Sequence, residues 1–500
     1  MPRRLKSPLV LAIDIGSTSI RARLYDAAAW QVGGAGATVA HAVPFTPDGG
    51  SEDDPAKLCA DVETVIDRVM AHPAAGAAEI GGVGLSTYVG NMLGIDRAGA
   101  AVTPLYSYAD SRSAQDVEQL RPRLGTPDHY TRTGAPLHTA YQAPRIAWLK
   151  RTRPDSFDDA YLWTDLGAYL YGRWFGTVDI PSSYSVASWS GMLDRFRLTW
   201  DVPTLEAVGV DPDRLPKLAD YTTAMRGLAR PYAKRWPRLA QVPLFLAVAD
   251  GAAANIGVGC VGADSCALTA GTTGAMRAVV PGTPDIAPNG LWAYRLDADY
   301  SVVGGAVTDA GSLFQWLMTN LRLPRSRALE EALAASPAAA HGVSVMPFLR
   351  GERSPGWATD ATAAFLGVRA TTTGVDLVRA SLEAVAYRFV LIWRLLRQVA
   401  PAREIVVGGR AARSSPAWMQ IMADALQMPL VGSVEQGTTT RGIAVMALKA
   451  LGVIERYDSL PVPRLERYLP NADNGAAHHS ALAAHEALYD ILVAPTNSRM

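Results

Sequence analysis

Residues Val10–Asp26 constrain the fold more than any other stretch, because they spell a strand, a turn of small residues and a second strand. The apolar run from Val10 ends in Asp14 and Ile15, turns through Gly16, Ser17, Thr18 and Ser19, and resumes as the alternating segment Ile20–Asp26. Two strands joined so tightly form a hairpin. A Gly/Ser/Thr turn lets backbone N–H groups and hydroxyls reach phosphate oxygens with no bulky side chain in the way. Aspartate at the end of a buried strand can face a metal ion. Arg21, just past the turn, can meet phosphate charge. This differs from the strand-to-helix phosphate loop, and no G-x-x-x-x-G-K-[ST] occurs in the chain. Glycine-rich turns between strands are also common where no nucleotide binds, so the meaning of this one rests on companions downstream.

A second opening of the same kind follows. Cys266–Ala270 reads as a strand and runs into Gly271-Thr272-Thr273-Gly274. Two such turns, one near the start of each half, suit a grip on a triphosphate from two sides. At 500 residues the chain exceeds one ordinary core, so two domains are expected, residues 8–257 and 258–490. Asp54 and Pro55 start a helix that runs to about Met70, the acid as N-cap and the proline at the first helical position. Further helices are expected over Gly311–Leu321, Gly374–Val399, Ser415–Leu426 and Thr440–Leu451, with strands at Glu404–Val407 and Pro429–Ser433. Such alternation implies an α/β sheet covered by helices.

Composition narrows the function classes. Lys+Arg and Asp+Glu both number 47, so there is no net basic charge to favour nucleic acid. Neither the N-terminal residues nor any later stretch reads as a signal peptide or a membrane span. Cys59, Cys260 and Cys266 form no C-x-x-C pair and read as reduced thiols. A cytoplasmic enzyme with no membrane partner is the expectation.

Other positions leave alternatives open. Asp250 ends the expected strand Leu244–Val248 and precedes a small-residue helix, Ala252–Gly257. It can face a cleft and accept a proton from a hydroxyl, or simply cap that helix. Gly408-Gly409-Arg410-Ala411 follows an apolar strand, where glycines admit a flat ring or merely end the strand. The aromatic segment Tyr161–Trp200 either lines a site or packs a core. Gly257-Val-Gly259-Cys-Val-Gly262 matches G-x-G-x-x-G, but it follows a helix and precedes a strand, the reverse of the dinucleotide context.

Taken in order, these motifs resemble the FGGY family of carbohydrate kinases, within the actin, Hsp70 and hexokinase superfamily, from Val10 to about Tyr489. Asp14–Arg21 is similar to the family's first phosphate motif, Tyr108-Ala-Asp110-Ser-Arg112 to its W-x-D-x-R segment, and Leu246–Gly251 to the segment carrying the catalytic base. Gly271–Thr273 is similar to the second phosphate motif. Pro347–Trp357, with Gly-Glu-Arg-Ser-Pro at its centre, is similar to the family signature, and Gly408–Ala411 to the adenosine motif. The resemblance implies two ribonuclease H-like (actin-like ATPase) domains around a central interdomain cleft. It also implies ATP-dependent phosphorylation of a sugar, sugar acid or polyol. By that analogy Asp250 is the catalytic base, and Asp14, with Asp250, holds Mg²⁺. Gly16, Ser17, Thr18, Arg21, Gly271, Thr272 and Thr273 meet phosphates. Gly311, Gln315, Gly408, Gly409, Arg410 and Ser414 lie beside the nucleotide. Tyr88, Asn91, Tyr108 and Asp110 join Asp250 at the acceptor.

Two departures from the family pattern stand out: Thr362-Ala363 before Ala364-Phe365, where the family usually has Arg-Gly and where altered surface or assembly contacts are expected, and one near the acceptor. Many xylulose and gluconate kinases carry Met-His where this chain has Val89-Gly90, and Tyr88 and Asn91 are expected to replace the missing histidine. The block around Val248–Asn255 and the Gly-Glu-Arg-Ser-Pro signature are closest to the gluconate-kinase-like branch, with xylulose or another pentulose still open. A catalytically silent sugar- or nucleotide-sensing relative is the alternative. A homodimer is compatible with the resemblance.

Overall fold

Two mixed sheets organise the chain, and each begins with one of the two glycine turns. The computed structural model describes residues 4–285, 287–408, 414–434 and 437–493; Gly409 and Arg410 lie outside the described residues. In the first half, β1 (Leu9–Ile15), β2 (Ser19–Tyr25) and β3 (Gln31–Ala40) form an antiparallel meander. Helix α1 (Pro55–Met70) follows, with the Asp54 carboxylate accepting from the N–H groups of Ala56 and Lys57. Strand β4 (Ile80–Thr87) then lies parallel to β1. Two short pieces, β5 (Leu244–Phe245) and β6 (Val248–Ala249), extend the sheet on the far side of β4. The expected strand Leu244–Val248 is thus broken in two.

The second half repeats the scheme. Strands β7 (Ser265–Ala270), β8 (Gly274–Pro281) and β9 (Tyr300–Val307) are antiparallel neighbours. Helices α2 (Gly311–Asn320) and α3 (Gly374–Leu396) lead to β10 (Glu404–Gly408), which lies parallel to β7. Helix α4 (Pro416–Leu426) and strand β11 (Leu430–Ser433) complete the alternation. Each sheet therefore has a three-strand meander joined to a parallel strand at its first member.

Two helices cross where the halves meet. The helix Asp250–Gly257 begins at Asp250 itself, not at Ala252, with Ala249 as its N-cap. It packs against the helix Thr438–Ala450, which lies also against β1 and β4 of the first sheet. Glycines set the closeness of the crossing. A Cβ on Gly442 would stand 1.7 Å from the carbonyl oxygen of Ala253, and one on Gly257 would stand 1.7 Å from that of Thr438. Gly257, Gly259 and Gly262 span a helix end and a loop before β7, so the G-x-G-x-x-G spacing has no dinucleotide context.

Candidate active site

Strand register builds the acid of the first turn. Asp14 lies opposite Arg21 on β2 and beside Ser86 on β4. The cross-strand pairs become bonds: Arg21 Nη1 donates to Asp14 Oδ2 at 3.3 Å, and Ser86 Oγ donates to Oδ1 at 3.0 Å. Asp14 is buried, and burial raises its carboxyl above the ordinary range against the opposing pull of Arg21 and Ser86. The turn itself closes with Gly16 N–H donating to the Ser19 carbonyl at 3.1 Å.

The second turn is held by the start of the helix Gly311–Asn320, three strands further along the chain. N–H groups of Ala310, Gly311 and Ser312 donate to the carbonyls of Thr272, Gly271 and Thr272 at 3.1, 2.8 and 3.1 Å. This leaves the turn's hydroxyls outward, with Thr272 and Thr273 exposed.

Asp250 does not cap its helix; its side chain makes no cap bond beyond its own neighbour, the N–H of Gly251, at 2.7 Å. The carboxyl is pushed up to about 6, first by burial and then by the charge of Asp14, with Arg277 opposing. Asp250 lines a cavity of about 130 Å³ that both halves enclose. Ser17 of the first turn and Thr273 of the second reach the same cavity, as do Tyr88 and Tyr108. Its remaining wall is aromatic and cationic: Tyr141, Trp189, Trp292, Tyr294 and Trp357, with Arg277 and Arg353. Trp292 stacks on Tyr294 at 5.8 Å, and Trp189 lies 4.4 Å from Tyr294. From the aromatic segment Tyr161–Trp200, Trp189 lines this cavity, while Trp163 and Trp174 pack the core.

A second, larger cavity of about 1050 Å³ lies in the C-terminal half alone. Gly271, Thr272, Gly311, Gln315 and Ser414 line it, together with Glu330 and Trp418. Glu330 fixes its floor, accepting from Ala417 N at 2.7 Å and Ser415 Oγ at 2.8 Å at the start of the helix Pro416–Leu426. Gly408 ends β10 beside Thr269 of β7.

Two of the expected acceptor residues face elsewhere. Asn91 spends its amide internally: it donates to Thr87 Oγ1 at 3.4 Å and to the Tyr88 carbonyl, and accepts from Leu166 N at 2.8 Å. Asp110 accepts from Ser51 N at 3.1 Å and pairs with Arg112. Neither lines the cavity. Gly90 explains the lost histidine: at φ +66° a Cβ would meet the Ala140 carbonyl and Tyr108 Cβ, both at 2.9 Å. Arg277 and Arg353 escaped the sequence reading. A lone arginine in the otherwise apolar strand Gly274–Pro281 was the available signal for the first, and the Gly-Glu-Arg-Ser-Pro block for the second.

Two α/β halves built on one plan, an acid-bearing cavity between them and a larger cavity in the second half have the layout of a two-domain enzyme with its site in the cleft. The profile described as FGGY family of carbohydrate kinases, N-terminal domain, matches residues 9–257, and that of the C-terminal domain matches 266–451, so the chain belongs to this family. A gluconokinase of Bacillus subtilis is 26% identical over 491 residues, covering 95% of this chain and 94% of its own. Crystal structures described as a gluconate kinase and a ligand-bound xylulose kinase, both from Lactobacillus acidophilus, superpose with TM-score 0.89 at 23% identity, over 97% of this chain and 98% of theirs. The protein is an ATP-dependent carbohydrate kinase, a phosphotransferase whose acceptor is a hydroxyl group.

Proposed function

We propose that this kinase moves the γ-phosphoryl group of ATP to a hydroxyl of a sugar acid such as gluconate, or of a pentulose such as xylulose, with Asp250 as general base. One observation carries the reading: Asp250, Ser17 and Thr273 line a single cavity between the domains, so acid and both phosphate turns address one volume. Asp250 accepts the hydroxyl proton as the oxygen attacks phosphorus, and ADP leaves. Arg277, beside Asp250, balances charge gathering on the phosphoryl oxygens. Ser17, Thr18, Arg21 and the Gly271–Thr273 turn hold the phosphate tail. Gly311, Gln315, Gly408 and Ser414 border the nucleoside, a role the resemblance extends to Gly409 and Arg410. The gluconokinase relative and the gluconate and xylulose kinase neighbours support the acceptor class.

Asp14 and Asp250 suit Mg²⁺. They are crowded enough that one raises the other's pKa, and Mg²⁺ is usually held by one or two carboxylates plus phosphates and water. When bound, that ion supplies charge neutralisation to the phosphates. The division near residue 257 is supported by the helix Asp250–Gly257, which ends where the second sheet's chain begins. Three buried, unpaired cysteines suit a reducing compartment such as the cytoplasm. No helix among the described residues is long and apolar enough to cross a membrane.

A coupled ADP-release assay over sugars, sugar acids and polyols tests the proposal. Turnover that depends on one acceptor class is expected. ATP hydrolysis indifferent to every acceptor would sink it.

A further inference from the structure

Among the described residues, the wall of the cavity between the halves carries hydroxyls that both donate and accept, of which buried Tyr88 Oη has no partner, and beyond them four N–H side chains that can only donate. Arg277 Nε, Trp189 Nε1 and Trp292 Nε1 are buried and meet no hydrogen-bond acceptor among the described residues, and all three side chains line the cavity. Arg353 lines it too, and its guanidinium makes no hydrogen bond or ion pair among the described residues. Among the described residues, Asp250 is the one carboxylate in the lining, against two arginines.

Acids near Arg353 are already committed. Asp309 accepts from Arg350 Nε at 3.1 Å and Nη2 at 2.9 Å. Glu352, the preceding residue, is buried and pairs with Arg388 and with the Tyr489 hydroxyl. His138 is pushed down to about 4 by burial, so at neutral pH it adds no charge. Arg353 itself is held in place. Ser354 N donates to the Ala306 carbonyl at 3.0 Å, Ala306 N donates to Ser354 Oγ at 3.2 Å, and Trp357 N donates to the Arg353 carbonyl at 2.6 Å.

We infer that Arg353 recognises a carboxylate on the acceptor, so the acceptor is a sugar acid and not a neutral sugar or polyol. This rests on the kinase reading above and narrows it. A polyol brings donors as well as acceptors and leaves a partly desolvated guanidinium uncompensated. A carboxylate brings two acceptor oxygens that match the guanidinium fork. The γ-phosphate is a second source of anionic oxygens. The two arginines line one cavity and lie within each other's field; Arg277 is the one whose charge acts on Asp250, while Arg353 stands among Tyr108, Tyr141 and His138, and the variants below separate the two sources.

The test measures kcat/KM of the full chain for an aldonate, the matching alditol and a ketose, in wild type, Arg353→Met and Arg353→Lys. The wild type is expected to prefer the aldonate. Arg353→Met is expected to lose about 10–10²-fold on the aldonate, as for a lost charged hydrogen bond, and little on the alditol. Arg353→Lys recovers part of the loss, and KM for ATP stays level in both variants. Wild-type preference for the ketose or alditol would overturn the inference and leave the kinase reading intact. Equal losses on all acceptors with a raised KM for ATP would overturn it by moving Arg353 to the phosphate. Turnover with no acceptor would overturn both readings. Should Arg353→Met fail to fold, stabilisation of the wild type by aldonate but not alditol, read as a Tm shift, decides the question; equal shifts count against the carboxylate.

Discussion

At the scale of the residue, Asp250 is defined by what it lacks. A carboxylate at a helix start normally caps it, yet this one stands inside the first turn, and its hydrogen bond at 2.7 Å goes to the adjacent N–H of Gly251. Burial and Asp14 together push it up to about 6, near the pH at which a cell works, which is where a general base is most effective. Asp250→Asn keeps shape and removes the base. It is expected to lower kcat by roughly 10²–10⁴-fold. ATP affinity should change little, because the larger cavity, proposed above for the nucleotide, is lined by other residues. Steady-state kinetics and nucleotide titration check both halves of this, and wild-type turnover would take Asp250 out of the chemistry.

Elements show where a sequence can be read and where it cannot. The helix Pro55–Met70 was legible because its reasons are local: Asp54 caps, Pro55 fits the first turn, and apolar residues recur on one face. Both glycine turns were legible for the same reason. The roles of Arg277, Arg353 and Trp189 at the cavity were not, since they come from elements far apart in the chain. Asn91 misled because it neighbours Tyr88 in sequence while its amide closes a local turn. Gly442 gave no signal at all: in a helix interior, propensity alone favours alanine by about 1 kcal/mol. The packing argues the opposite sign. An added Cβ would meet the Ala253 carbonyl at 1.7 Å and Gly257 N at 3.0 Å, both backbone atoms of a crossing helix that cannot swing aside. Gly442→Ala is therefore expected to destabilise, by about 1–3 kcal/mol as for an overpacked core. Urea denaturation measures it, and a raised midpoint would mean the helices do not cross so closely.

Across the whole molecule, the bonds between domains are unevenly distributed. Beyond the crossing helices, Tyr130 Oη donates to the Leu291 carbonyl at 2.6 Å, Ala293 N to the Gly134 carbonyl at 2.9 Å, and Arg195 Nη1 to the Pro284 carbonyl at 2.7 Å. Tyr25 and Thr440 share a hydroxyl bond at 2.8 Å at the crossing itself. By contrast, among the described residues no hydrogen bond joins Gly16–Thr18 to Gly271–Thr273. The domains are stitched beside the cavity that holds Asp250 and along the crossing, and among the described residues unstitched between the two glycine turns, proposed above to hold the phosphates. A ligand that bridges those turns can draw them together about the stitched floor, expelling the water that competes with the acceptor as nucleophile. A non-hydrolysable ATP analogue with Mg²⁺ and an aldonate is therefore expected to shrink the radius of gyration in solution scattering. The analogue alone should have a smaller effect, because it leaves the acceptor cavity unfilled. Identical scattering profiles for the free and doubly saturated protein would mean that the domains already stand in their working arrangement, and that water is kept out by the aromatic wall of Tyr141, Trp189, Trp292 and Tyr294 without any closure.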